Sequence, residues 1–152
     1  MGRLILSELQ ANARLSFTEL GRRVGLTATA VTERVRRMEE AGIITGYRLE
    51  IDPEKVGLPI TAFVRIATSS GRSPQLDALV KEYPEIVECH LITGPDSYLL
   101  KIAVPSVRHL ERFLEYLRFH GQPTTSIVLS TLVRHRPLAV PENSGHGEPG
   151  PG

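Results

Sequence analysis

The stretch from Ser16 to Met38, SFTELGRRVGLTATAVTERVRRM, restricts the fold more than any other part of this chain. Ser16 and Glu19 have the S-x-x-E spacing of a capping box. In that motif the serine oxygen takes an orphan helix N–H and the glutamate reaches back to the cap. Phe17, Leu20 and Val24 follow at i, i+3 and i+7, one face of a short helix. Gly25 stands where that helix has to stop, because glycine accepts the left-handed turn of a C-cap. Thr27 is placed to cap a second helix, in which Val31, Val35 and Met38 share a face. Two short helices meeting across a Gly-Leu-Thr turn form a helix-turn-helix pattern, whose second helix normally lies in the DNA major groove.

The outward face of that second helix has suitable chemistry. Thr29, Thr32, Glu33, Arg36 and Arg37 lie away from the apolar stripe, with Arg34 on its flank. Hydroxyls and guanidiniums pair with base edges and phosphates. The bland alternative for Arg34, Arg36, Arg37, Glu39 and Glu40 is a solvated face of helical ion pairs. The cap, the glycine turn and the basic helix together favour the DNA reading.

Net charge is only +1 over 152 residues, so no global basic field attracts nucleic acid. Within residues 1–50, eight arginines face six glutamates, with no lysine or aspartate. Arginine suits bidentate contacts to phosphate and guanine. The small excess predicts weak binding by a single copy, so at least two are needed on a site. The single cysteine, Cys89, excludes an internal disulfide and a cysteine-rich zinc site, and it alternates with Val87 and Leu91 as a small core residue. The five histidines lack metal-ligand spacing, so no metal is expected. With no signal peptide and no apolar run of spanning length, no membrane association is expected, and a soluble cytoplasmic protein follows.

In chain order, Arg3–Asn12 reads as a first helix that completes a three-helix core. The chain begins almost inside it, which implies that a natural N-terminal segment is short or missing. Ile43 to Ile51 alternates over Tyr47, Leu49 and Ile51 and reads as a strand where a wing would be. Asp52-Pro53 restarts the chain as cap and first helical residue, and Gly57-Leu58-Pro59 breaks it. The expected division is therefore a helix-turn-helix domain over 1–51, a hinge over 52–59, a second domain over 60–138 and a disordered tail over 139–152.

The second domain alternates period: strand 60–68, helix from Ser73-Pro74, strand 86–93, turn 94–97, strand 98–104, helix from Pro105-Ser106 and strand 124–135. A β-α-β-β-α-β order folds most simply as an antiparallel sheet with two helices on one face. The fold class is α+β, a winged helix-turn-helix followed by a ferredoxin-like domain. Phe63, Ile92, Leu99, Val128 and Leu132 are candidates for the open sheet face, which predicts that a partner covers it.

The chain resembles the Lrp/AsnC family of transcription regulators. The likeness is carried by Glu19-Leu20, Val24-Gly25-Leu26, the run Arg34 to Ile44, Gly46-Tyr47, the run Asp52 to Leu58, Glu85 to Cys89, Thr93-Gly94, Tyr98 to Lys101 and Val128-Leu129. The resemblance implies a sequence-specific DNA-binding transcriptional regulator, not an enzyme. It also implies a homo-oligomer, dimers paired through C-terminal sheets and often assembled into octamers. Many members bind an amino acid or related metabolite between C-terminal domains. Mapped here, DNA contacts fall to Thr27, Thr29, Thr32, Glu33, Arg34, Arg36 and Arg37. An amino-acid effector would be held by Thr93, Gly94, Pro95, Asp96, Ser97 and Tyr98, with Thr124 and Ser126 as another wall; no other cofactor is implied.

The chain departs from the family in two places. Pro95 and Ser97 stand where the family turn is commonly acidic, which leaves Asp96 to pair with an α-ammonium. Thr32-Glu33 replace the frequent leucine and arginine, so the target sequence is the chain's own. No nucleophile–base pair, paired carboxylates or phosphate-cradling glycine loop is present to suggest catalysis. The rival readings are a small-molecule-converting enzyme, marked by metabolite turnover, and a ligand sensor without DNA binding, against which Arg36 and Arg37 argue.

Overall fold

The structure, a computed structural model, describes residues 2–69 and 71–141. Its contacts gather into two units, one formed by residues up to Leu49 with the segment from Val133, the other by Glu50–Leu132.

In the first unit the apolar stripes read from the sequence become helices α1 (Gly2–Ala11), α2 (Phe17–Val24) and α3 (Ala28–Glu40). Ile5, Leu9, Leu20, Val24, Val31, Val35 and Met38 close one core between them. Ser16 Oγ accepts from the Glu19 N–H (3.1 Å), and Thr27 Oγ1 accepts from the Ala30 N–H (3.2 Å). The capping box is only half formed, because Arg22 and Arg23 engage the Glu19 carboxylate instead of the Ser16 N–H. An ionised carboxylate takes the charged donors in preference to a neutral amide. Gly25 has φ 72°, as the stop between α2 and α3 requires. Gly21 fixes their approach: a Cβ there would lie 2.5 Å from the Leu26 carbonyl oxygen.

The strand expected over Ile43–Ile51 is not formed. Alternation supplies a pattern of faces, but a strand also needs a neighbour, and this segment pairs with none among the described residues. Tyr47, Leu49 and Ile51 are exposed, although the Tyr47 hydroxyl donates to Glu39 Oε1 (2.9 Å). Asp52 Oδ1 then accepts from the Glu54 N–H, opening a single 3-10 turn, Glu54–Val56. At the other end of the unit, Gln10 grips the Leu138 backbone, donating to its carbonyl (3.1 Å) and accepting from its N–H (2.7 Å).

The second unit contains β1 (Ile60–Ala67), α4 (Pro74–Glu82), β2 (Ile86–Leu91), β3 (Tyr98–Val104), α5 (Val107–Leu117) and β4 (Gln122–Ile127). The sheet order is β2-β3-β1-β4 and every pairing is antiparallel. Ala62, Val64 and Ile66 of β1 and Tyr98, Leu100, Ile102 and Val104 of β3 meet Leu76 and Leu79 of α4 and Leu110, Phe113 and Leu117 of α5 in one core. Cys89 is half-buried against it.

The last strand stops at Ile127 rather than His135. Its neighbour β1 begins at Ile60, and after the Val128 N–H donates to the Thr61 carbonyl (2.8 Å) nothing remains for it to pair with. Leu129 and Leu132 are consequently almost fully exposed. β2 also stops short, because the Ile92 N–H turns to the Ser97 carbonyl and closes the hairpin turn. On the open face, Phe63 and Leu99 share the surface with Arg65, Lys101, Glu88 and His90, so that face is amphipathic rather than apolar throughout. The tail expected over 139–152 lies outside the described residues from position 142 onward.

Candidate functional site

Two groups of candidate residues stand out, one in each unit. In the first, α3 turns Val31, Val35 and Met38 inward, which leaves Thr29, Thr32, Glu33, Arg36 and Arg37 on the accessible side. Thr27 is committed to capping. The Thr32 hydroxyl donates to the Ala28 carbonyl (2.9 Å), so outward it offers a lone pair and a methyl group. Arg34 is exposed, with no ion pair to any described residue.

Arg36 and Arg37 are engaged by their own helix. Arg36 donates to Glu33 through Nε (3.2 Å) and Nη2 (3.1 Å) and to Glu40 through Nη1 (2.5 Å). Arg37 Nε donates to the same Glu33 carboxylate (2.9 Å). The Arg36 and Arg37 hydrogen bonds hold the Glu33 carboxyl below its ordinary range. The helical ion-pair network and the accessible surface of α3 are thus the same set of side chains.

In the second unit the turn after β2 lies at the C-terminal end of β1. The Ser97 N–H donates to the Ile66 carbonyl (2.9 Å), and the Ser97 and Thr68 hydroxyls are 3.2 Å apart. Thr93, Gly94 and Pro95 are exposed, while Asp96 and Ser97 are half-buried. Thr124 lies opposite Arg65 and Ser126 opposite Phe63, both exposed on β4. The structure therefore gathers the turn and the β4 residues around Arg65, whose Nε is 3.9 Å from Asp96 Oδ2. Arg65 went unnoticed in the sequence. Its available signal was a lone cation in mid-strand, at a position of β1 opposite the core-facing phase.

Tyr98 is set apart from this group. It is 1% exposed and belongs to the core beneath the helices. Its hydroxyl donates to Asp77 Oδ1 (2.7 Å) and accepts from the Ser73 N–H (2.8 Å) at the start of α4. Burial pushes the Tyr98 hydroxyl pKa up, with the Asp77 carboxylate adding to it. Tyr98 ties the end of the turn to α4 instead of facing the open surface. Among the described residues no three His, Cys, Asp or Glu side chains could hold a metal ion, and no helix is long and apolar enough to cross a membrane.

A helix-turn-helix with an accessible arginine-bearing second helix, joined to a ferredoxin-like sheet, defines a DNA-binding regulator with a separate regulatory domain. Family models match both parts, a winged helix-turn-helix DNA-binding model over residues 2–45 and the Lrp/AsnC ligand binding domain over residues 61–138. The chain belongs to the Lrp/AsnC family and is a DNA-binding transcriptional regulator, not an enzyme.

It is 42% identical over 131 residues to an HTH-type transcriptional regulator of Bacillus subtilis, covering 86% of this chain and 93% of the relative. It is 47% identical over 128 residues to the proline dehydrogenase transcriptional activator of Rhodobacter capsulatus, covering 82% and 79%. Among solved structures, it is similar to the feast or famine regulatory protein of Mycobacterium tuberculosis complexed with L-methionine. That match has TM-score 0.84 and 34% identity, covering 91% of this chain and 96% of the other.

Proposed function

We propose that this regulator works in the cytoplasm as a homo-oligomer, a dimer or an octamer built of four dimers, whose grip on DNA is set by an amino-acid effector. Residues 1–51 contact DNA, 52–59 act as hinge, 60–138 bind effector and assemble, and 139–152 form a tail. Two copies of α3 enter successive major grooves of a pseudo-palindromic site. Thr29, Thr32 and Glu33 meet base edges, while Arg34, Arg36 and Arg37 neutralise phosphates and Thr27 sets the helix start.

The observation that carries the effector reading is the Arg65–Asp96 pair beside Thr124. At 3.9 Å the two charges are close without being fully engaged, a spacing that suits a zwitterion. Asp96 takes the α-ammonium, Arg65 the α-carboxylate, and Thr93, Gly94, Pro95, Ser97, Thr124 and Ser126 line the surroundings. Tyr98 holds the turn from beneath. The L-methionine in the mycobacterial relative supports an amino acid as the ligand class. An effector changes transcription only by binding one assembly better than another, and a site at a subunit contact meets that condition by construction.

The test is binding of promoter fragments at low salt across an amino-acid panel. Arg36→Ala with Arg37→Ala should weaken binding to all sequences and flatten the dependence of log affinity on log salt. Asp96→Ala should abolish the effector response and spare DNA binding; loss of both would make Asp96 structural.

A further inference from the structure

Helix α3 is electrically neutral as a unit, with Arg34, Arg36 and Arg37 balanced by Glu33, Glu39 and Glu40. That is an unexpected composition for a surface that meets a polyanion. The glutamates are not spread evenly through the arginines. Glu39 is occupied by the Tyr47 hydroxyl, and Arg34 has no carboxylate partner among the described residues. Glu33, by contrast, takes two bonds from Arg36 and one from Arg37, and with Glu40 it leaves every donor nitrogen of Arg36 facing a carboxylate. Arg36 therefore reaches a phosphate only by leaving its carboxylates, and Arg37 presents its Nε edge only by leaving Glu33, its η nitrogens being clear of that carboxylate. Exposed ion pairs of this kind are weak enough to exchange. A carboxylate left among phosphates without a donor is, however, repelled.

Glu33 lies one turn after Thr29, toward the end of α3 that enters the groove in helix-turn-helix complexes. The base-edge donor matched to a carboxylate is the cytosine N4 amino group. Resting on the reading of α3 as the DNA-contacting helix, we propose that Glu33 is a specificity-determining residue that withholds Arg36, and the Nε edge of Arg37, from phosphate until a cytosine takes up its carboxylate. On a duplex with no cytosine at the facing position, Glu33 keeps both guanidiniums and adds its own repulsion. On a matched duplex it turns to the base, and the two arginines turn to the flanking backbone. The direct readout of one base and the sequence-independent attraction are thereby coupled, so a chain of low net charge spends little of its affinity on wrong sites.

The experiment compares the full-length wild type, Glu33→Gln, Arg36→Ala/Arg37→Ala and the triple variant. Each is titrated with a poly(dA·dT) duplex and with duplexes selected by the wild type from a random pool, over a range of salt, with helix content checked by circular dichroism. Glu33→Gln should bind the cytosine-free duplex about tenfold tighter at low salt, with a slope steeper by about one per subunit. That gain should vanish in the triple variant. Preference for the selected duplexes should fall about tenfold, and those duplexes should share a cytosine in each half-site.

The proposal is overturned if Glu33→Gln binds poly(dA·dT) no tighter than wild type, or if the gain survives removal of both arginines. The two readings fail differently. Arg36→Ala/Arg37→Ala indistinguishable from wild type on every duplex would remove α3 from the DNA surface altogether. A clear loss there, with Glu33→Gln silent, would remove only the gate.

Discussion

Single carboxylates in this protein act through the arginines around them. Glu19 left its expected partner, the Ser16 N–H, for Arg22 and Arg23, and their hydrogen bonds hold its carboxyl down to about 2. The folded state therefore prefers the charged form. Its contribution to stability is complete above the ordinary carboxyl value of 4.5 and fades as pH falls from there through about 2. Glu19→Gln should lower stability near neutrality, where the charged pair contributes fully, and flatten the acid limb, so that variant and wild type converge as pH falls toward 2, as thermal unfolding against pH will show. Asp77 follows the same logic, lowered first by the Tyr98 hydroxyl and then by Arg72. The sequence singled out Glu19 and Tyr98 but gave Glu19 the Ser16 N–H as its partner and held no sign of the Tyr98 bonds to Asp77 and Ser73, because a side chain's partner depends on which neighbours the fold delivers.

At the level of elements, periodicity located the α-helices and core strands of the described residues, since each needs only a repeating apolar face. It overran wherever pairing decides the end of a strand. Ile43–Ile51 and the stretch beyond Ile127 both alternate, yet neither has a neighbouring strand among the described residues. Gly21 is the reverse case, a residue without pattern that fixes how two elements meet. Gly21→Ala drives a methyl group into the Leu26 carbonyl and should separate α2 from α3. The expected cost is about 1–3 kcal/mol, with reduced DNA affinity, measurable by urea denaturation and by duplex titration.

For the whole molecule, a formal charge of +1 offers little general attraction to DNA, and the proposed assembly would supply affinity by multiplicity. The open face of the sheet offers Phe63 and Leu99 beside Arg65, Lys101 and Glu88, the mixed character of a surface suited to a second copy. Phe63 is 40% exposed in the single chain, so an acidic residue there need not disturb the core. Phe63→Asp should lower the assembly state in sedimentation experiments while leaving the circular dichroism spectrum intact. DNA affinity should then fall steeply, because paired recognition helices are lost together.

The sequence alone determined the helix-turn-helix, the β-α-β-β-α-β order and the outward identity of α3. These rest on local physics: caps, glycine stops and the 3.6- and 2-residue periods that put apolar groups on one side. Tertiary structure decided what lies opposite what. It brought Arg65 between Asp96 and Thr124, sent the Tyr98 hydroxyl to α4, and ended β4 where β1 begins. Those outcomes depend on strand register and on packing between segments far apart in the chain, and no local pattern encodes either.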